Sequence, residues 1–320
     1  MWIHFALFST LLLPAALLGL RGRAGRRGSP VLLGVAFVAF VAFSSLRAVS
    51  VGNDTVEYHR VFKAIAATDS FQEALSVSRF ESGYVLVNYL VSRLTQDFNL
   101  LLLITSVFVY GSAVLFIKRY AASYSLALLF AFGMSVFYDL MLAVRQGIAV
   151  AIFLLAVPAL MERKLVRYVL LVVLASQFHV SVLLMLVVYL IPYMRLSTFG
   201  DWFKWGALIG IVMFSLSWLL TRLLVSSAYY GHYLHSDYAD GGVRSATVLL
   251  IVTRIILMLL AATCGWNAAV EADPSGRTRN LLALAVADVA MVVISLGFNL
   301  LDRLEMYLTL PFAVGLANLA

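Results

Sequence analysis

Apolar runs near 20 residues long recur along almost the whole chain, and this feature leaves few folds open. A helix rises about 1.5 Å per residue, so about 20 apolar residues cross a hydrocarbon core about 30 Å thick. The runs fall at 1–20, 30–49, 99–117, 121–140, 141–160, 203–225, 245–266 and 281–298, with a last one from 306. Two further stretches, 83–95 and 168–193, are respectively too short and too long for one ordinary span. Short alternating strands, the mark of a membrane barrel, are absent. The expectation is all-α: one transmembrane helical bundle over residues 1–320, of about 10–12 membrane segments, some of them short re-entrant or broken helices.

Composition closes the alternative of a soluble protein. Hydrophobic residues make up 63% and charged residues 12% of the chain, whereas a soluble domain carries about 25% charged residues. Met1 to Leu20 lacks a basic leader and is followed by four arginines, so it reads as a retained span and not a signal peptide. One cysteine, five histidines and no C-x-x-C pair support neither a disulfide framework nor a zinc site. Cys264, inside an apolar run, reads as packing. The net charge of +7 does not call for nucleic acid, because basic residues in a polytopic protein collect in the loops that stay in the cytoplasm.

Those loops orient the chain. Thirteen of the 23 basic residues lie in five of them: Arg21 to Arg27, Lys118 with Arg119, Arg163 to Arg167, Arg195 with Lys204, and Arg277 with Arg279. Placing the first loop inside puts the N-terminus and the loop 50–82 outside. If 168–193 crossed once as a single helix, Arg195 and every later basic loop would be inverted. A break near Gln177-Phe178-His179 keeps them inside, and broken helices are tolerated where they line a protein cavity. The alternative is one long tilted helix with a buried, hydrogen-bonded histidine. Stretch 83–95 reads as a half-helix entering from outside. In loop 50–82, Tyr58, Phe62 and Ile65 recur at helical spacing, which predicts an amphipathic helix. A second external loop, 226–243, carries Tyr229, Tyr230, Tyr233 and Tyr238 with His232 and His235; these suit either stacking on sugar rings or an interfacial aromatic belt.

Ionisable residues inside a span cost about 2.5 to 3.5 kcal/mol on the insertion scale, which marks them as functional candidates. Five places stand out, all toward the external face. Asn53-Asp54-Thr55-Val-Glu57-Tyr58 puts a carboxylate at the membrane boundary, where it would also serve as a helix cap. Phe80-Glu81-Ser-Gly83-Tyr84 with Asn88 sets an acid and a glycine at the mouth of the half-helix, and capping is again the plainer role. Arg145-Gln146-Gly147 begins an otherwise apolar span; an arginine fork suits phosphate, and the plain alternative is snorkelling beside Asp139. Ser176-Gln177-Phe178-His179-Val-Ser181 is a polar knot in the overlong run, suited to catalysis or to a satisfied core histidine. Asn299-Leu-Leu-Asp302-Arg303-Leu-Glu305-Met-Tyr307 sets Arg303 and Tyr307 on one helical face, or holds ordinary loop charges. Arg254 and Asp288, both within spans, are expected to pair structurally. No Walker A loop, Gly-rich dinucleotide turn or G-x-S-x-G is present, so ATP-driven transport and serine hydrolysis lack support.

With these five elements in this order, the chain resembles the EpsG-like family of Wzy-type polysaccharide polymerases. The resemblance implies a GT-C-like membrane glycosyltransferase in the bacterial inner membrane. Such an enzyme polymerises undecaprenyl-diphosphate-linked oligosaccharide repeats into exopolysaccharide or O-antigen at the periplasmic face. Its further partners would be the bilayer, a chain-length regulator and a flippase. The chemistry needs a base and charge neutralisation on a departing diphosphate. Arg145 and Arg303 are the candidates for the diphosphate, and Asp54, Glu81 or His179 for the base, with burial expected to raise a carboxylate's pKa. Tyr58, Tyr84, Asn88, Gln146 and Tyr307 would contact substrate. No cofactor is called for, since two arginines can replace the divalent cation that many phosphate sites use, although clustered carboxylates would accept a metal. A lipid-linked oligosaccharide flippase would use similar residues but should show repeat symmetry between its halves, and none is evident. An O-antigen ligase, or a GT-C transferase making a single addition, differs only in its acceptor. The run after Tyr307 holds 13 residues, short of a full crossing unless its helix starts earlier.

Overall fold

The computed structural model describes residues 28–52, 54–194, 199–225, 245–263, 273, 275–295 and 304–319. The first run (1–20), the aromatic loop 226–243, Cys264, Asn299, Asp302 and Arg303 lie outside the described residues. All regular structure described is helical, and the protein is a polytopic helical membrane protein. Among the described residues two helices are long and apolar enough to cross a membrane, and a bent pair would make a third. The described chain falls into two compact units, one within 1–158 and 166–183, the other within 159–165 and 184–320.

In the first unit, α1 (Pro30–Ser45) starts where the Ser29 hydroxyl accepts from the Val31 amide and Pro30 occupies the first turn, both favourable at a helix start. α2 (Thr55–Ala66) is the expected amphipathic helix, with Tyr58, Val61, Phe62 and Ile65 buried. After a short α3 (Phe71–Ser76), α4 (Ser82–Ser92) runs only 11 residues, too few to cross the bilayer. Val61 and Ile65 of α2, Ala74 of α3 and Val85 of α4 form one core with Phe71, Leu75, Phe80 and Tyr89 around it. Arg93 closes this layer: its guanidinium donates to the carbonyls of Thr68 at 2.9 Å and Ala66 at 3.0 Å, which the end of α2 would otherwise leave open.

α5 (Phe98–Tyr120) begins where the Asp97 carboxylate accepts from the Asn99 amide and ends on Lys118 and Arg119, charges that complement the helix dipole at both ends. It packs along α1, joined by a buried bond from the Ser106 hydroxyl to that of Ser44 at 2.7 Å. The stretch 121–140 is not the one continuous helix that its hydropathy predicts. It divides into α6 (Tyr124–Gly133) and α7 (Val136–Leu142), bent by 59°. Ser135 adopts the left-handed conformation at φ 62° and breaks the helix there, which also places Asp139 within α7 and not in a loop. The Tyr110 hydroxyl donates to the Phe137 carbonyl at 2.9 Å and Phe40 stacks on Phe137, so α1, α5 and α7 are tied together.

α8 (Val144–Met161) follows directly, and α9 (Leu165–Ser176) opens the overlong run. That run breaks at Gln177-Phe178-His179 and resumes as a 3-10 segment, Val180–Tyr193. The second unit contains α10 (Phe199–Val225), α11 (Ser245–Thr263), α12 (Arg277–Ser295) and α13 (Met306–Ala317). Every residue of α13 is buried, as expected of a helix apolar on all sides.

Candidate active site

Glu81 is the residue just before α4, yet its side chain makes no cap bond. It reaches instead to three partners distant in sequence. One carboxylate oxygen pairs with the Arg145 guanidinium at the start of α8. The other lies 3.6 Å from His179 Nδ1 and accepts from the Val180 amide at 3.3 Å. That amide is one of the groups released by the helix break, so the carboxylate meets a need that the break creates.

The break is bound to α4 by its backbone as well. The Gly83 amide donates to the Gln177 carbonyl at 2.8 Å, and the Ser82 hydroxyl donates to Gln177 Oε1 at 2.9 Å. The approach is close enough that a Cβ on Gly83 would stand 2.7 Å from the Gln177 carbonyl oxygen, which is the physical reason for glycine at this position. Gly147 plays a similar part, since a Cβ there would meet the Leu140 carbonyl oxygen at 2.9 Å. Gly83→Ala should push α4 off the break and lower polymer yield by about tenfold or more, since small misplacements in a site are costly. Normal polymer from that variant would remove the significance of the contact.

An aromatic wall completes the pocket of charge. The Arg145 guanidinium lies over the Phe80 ring at 4.0 Å, a favourable cation–π position. Phe80, Tyr58 and Tyr84 meet edge to face, each pair at 5.6 to 5.7 Å. Arg145 and Glu81 retain only 13% and 12% side-chain exposure.

Burial by itself would raise the Glu81 pKa, as its apolar surroundings in the sequence lead one to expect. It is outweighed by the neighbouring His179 ring and the Arg145 charge, which hold the carboxyl down at about 2. This corrects the expectation of a raised carboxylate at this position: Glu81 is a fixed anion that holds a guanidinium and an imidazole.

Three of the five sequence elements thus converge, through Glu81, Arg145 and the break at Gln177 to His179. A fourth contributes Tyr58, while Asp54 occupies the N-cap position of α2 without a side-chain cap bond. Asn88 is fully buried and donates to the Tyr84 carbonyl at 2.8 Å, and Gln146 is buried beside Arg145 in sequence. Tyr307 is fully buried in α13, within the second unit. Among the described residues no three His, Cys, Asp or Glu side chains stand together as metal ligands.

The second unit holds a charged cluster of its own. Arg254 pairs with Asp288 at 3.0 Å, as their positions within spans lead one to expect, and also with Glu305 at 3.3 Å. Thr309 links them, accepting from Arg254 and donating to Asp288, each at 3.3 Å. Motif and spacing do not single out one further buried cation, Arg47. The available signal is its place at the end of an apolar run, where arginine is out of keeping.

Residues 31–318 match the family model described as the EpsG family. No curated protein and no solved structure matches the chain. The match covers nearly the whole sequence and includes the elements carrying Glu81, Arg145 and His179, so the chain belongs to the EpsG family, whose function is of the polysaccharide-polymerase type.

Proposed function

We propose that this protein is a membrane glycosyltransferase that polymerises undecaprenyl-diphosphate-linked oligosaccharide repeats at the periplasmic face of the bacterial inner membrane. The observation that carries the reading is the convergence of Glu81, Arg145 and His179 at a helix break inside an otherwise apolar bundle. Family membership narrows the chemistry to polysaccharide assembly, and the basic loops support the orientation.

In the reaction, a hydroxyl oxygen of the incoming lipid-linked unit attacks the anomeric carbon of the growing chain. The bond from that carbon to the phosphate oxygen breaks, and the lipid diphosphate departs with the electron pair. His179 takes the hydroxyl proton. Its Nδ1 side faces the Glu81 carboxylate, which orients the ring and stabilises the imidazolium, the role a carboxylate plays behind a catalytic histidine. Arg145 balances charge on the departing diphosphate, and Arg303, outside the described residues, is the second arginine proposed for that role from its motif. Asp54, beside Tyr58 at the start of α2, is the second carboxylate within the same motif set and positions the acceptor.

Purified protein supplied with lipid-linked repeats should yield a ladder of products without any ion gradient. A single addition would identify a ligase-like transferase instead, and relocation without chemistry a flippase. Arg145→Ala and Arg303→Ala should each abolish long polymer, about a 100-fold loss or more for removing a charge-stabilising group, while the protein still reaches the membrane. Ordinary chain lengths in both variants would sink the assignment.

A further inference from the structure

Arg47 lies two residues beyond the end of α1 and is 7% exposed. One edge of its guanidinium is used locally: Nη1 donates to the Ser44 carbonyl at 2.6 Å and to the Ser44 hydroxyl at 3.0 Å. That is an ordinary role for a basic residue at a helix C-terminus. It does not account for the rest of the group.

Nε and Nη2 are both buried, and neither has a hydrogen-bond partner. Among the described residues, the phenols of Tyr110, Tyr84 and Tyr58 act on Arg47 electrostatically, and no carboxylate is paired with it. Two other buried arginines of the described chain differ on this point, since Arg145 is engaged by Glu81 and Arg254 by Asp288. Burying a cation without a counter-charge is costly, and a guanidinium edge of two parallel donors fits two oxygens of a phosphate. Tyr84 adds a second feature. Its hydroxyl is buried and meets no partner at hydrogen-bond geometry, the Asn88 amide being the polar group beside it. It also lies in the field of both Arg47 and Arg145.

We infer that Arg47 receives the phosphate ester of the substrate: its Nε–Nη2 edge binds two phosphate oxygens, and the Tyr84 hydroxyl donates a further bond to the same anion. This rests on the proposed polymerase reading for its choice of substrate. The chemistry recognised is a phosphate ester or diphosphate, whether free or lipid-linked. It also divides the labour at the site, with Arg145 held by Glu81 beside the histidine and the Nε–Nη2 edge of Arg47 left unpaired by the protein.

The test uses full-length protein in detergent micelles, with farnesyl diphosphate and inorganic pyrophosphate as probes. Wild-type protein should bind farnesyl diphosphate. Arg47→Gln should weaken binding at least tenfold, and Arg47→Lys, which keeps the charge without the fork, should fall between. Competition by pyrophosphate shows whether the free anion is enough or the lipid is required; in either case the loss in Arg47→Gln supports the inference. A thermal readout separates binding from a purely structural role. Without ligand, Arg47→Met should unfold at or above the wild-type temperature, because it removes an uncompensated buried charge, and ligand should no longer raise that temperature. Marked destabilisation of the ligand-free variant, with probe affinity unchanged, would show a helix cap only. If Arg47→Gln binds like wild type while Arg145→Ala makes no polymer, the inference falls and the polymerase reading stands. If the probes bind through Arg47 but the purified protein elongates nothing, the polymerase reading falls and the anion site remains. Failure of wild-type protein to bind either probe overturns the inference.

Discussion

Glu81→Gln should reduce polymer formation by about two to three orders of magnitude, because one change removes the orienting anion from both Arg145 and His179. The amide keeps the volume and can still accept from the Val180 amide, so the helix break should persist. The charge is what is lost. Breaking a buried pair costs about 3–5 kcal/mol, and the slight exposure of both partners here argues for the lower end of that range. The purified variant should therefore unfold at a lower temperature as well as work poorly. The double variant Glu81→Gln with Arg145→Gln isolates the coupling: if the pair is real, it should be more stable than Glu81→Gln alone, yet no more active. Strict additivity of the two stability losses would show that the carboxylate and guanidinium do not act as a unit.

Arg254→Ala should have the larger effect on stability. Arg254 is 1% exposed and Asp288 fully buried, with Glu305 and Thr309 closing the cluster. Deleting the guanidinium leaves the fully buried Asp288 carboxylate without the arginine that pairs with it, a loss of about 3–5 kcal/mol. The cluster joins α11 and α12 to the turn before α13, so the buried helix Met306–Ala317 should loosen with it. Replacing both partners, Arg254→Met with Asp288→Leu, should recover much of the lost stability, since an apolar pair carries no desolvation cost. Hydrogen exchange over 304–319 and the unfolding midpoint would record this. Unchanged exchange in Arg254→Ala would show that the ion pairs do not hold α13. Glu305 belongs to the same motif as Arg303 and Tyr307, so the double variant also asks whether that motif needs its charge or only its anchorage.

Much of the architecture is legible in the amino-acid order. Run lengths mark the helices, and a strong amphipathic period marks α2. The overlong run at 168–193 conflicts with the charge pattern of later loops, and that conflict locates a break at the residues where the helix stops. The departure at 121–140 has a local cause. Hydropathy measures how apolar a stretch is and carries no information on backbone conformation, so the left-handed Ser135 and the 59° bend are invisible to it. The pKa of Glu81 departs from expectation for a different reason. Burial can be inferred from an apolar neighbourhood, but the opposing influences come from partners 64 or more residues away.

The same distinction separates what each level of description determines. Solvent preference, helix length and loop charge are properties of short stretches read against a bilayer of fixed thickness, so the amino-acid order alone establishes a polytopic helical bundle. It also establishes which few ionisable residues sit where charge is costly. Which of them meet is a tertiary outcome. Glu81, Arg145 and His179 come together because Gly83 lets α4 touch the broken helix at Gln177. Arg47 stands apart for the same reason: only packing shows that a buried guanidinium has spent one edge on Ser44 and kept the other.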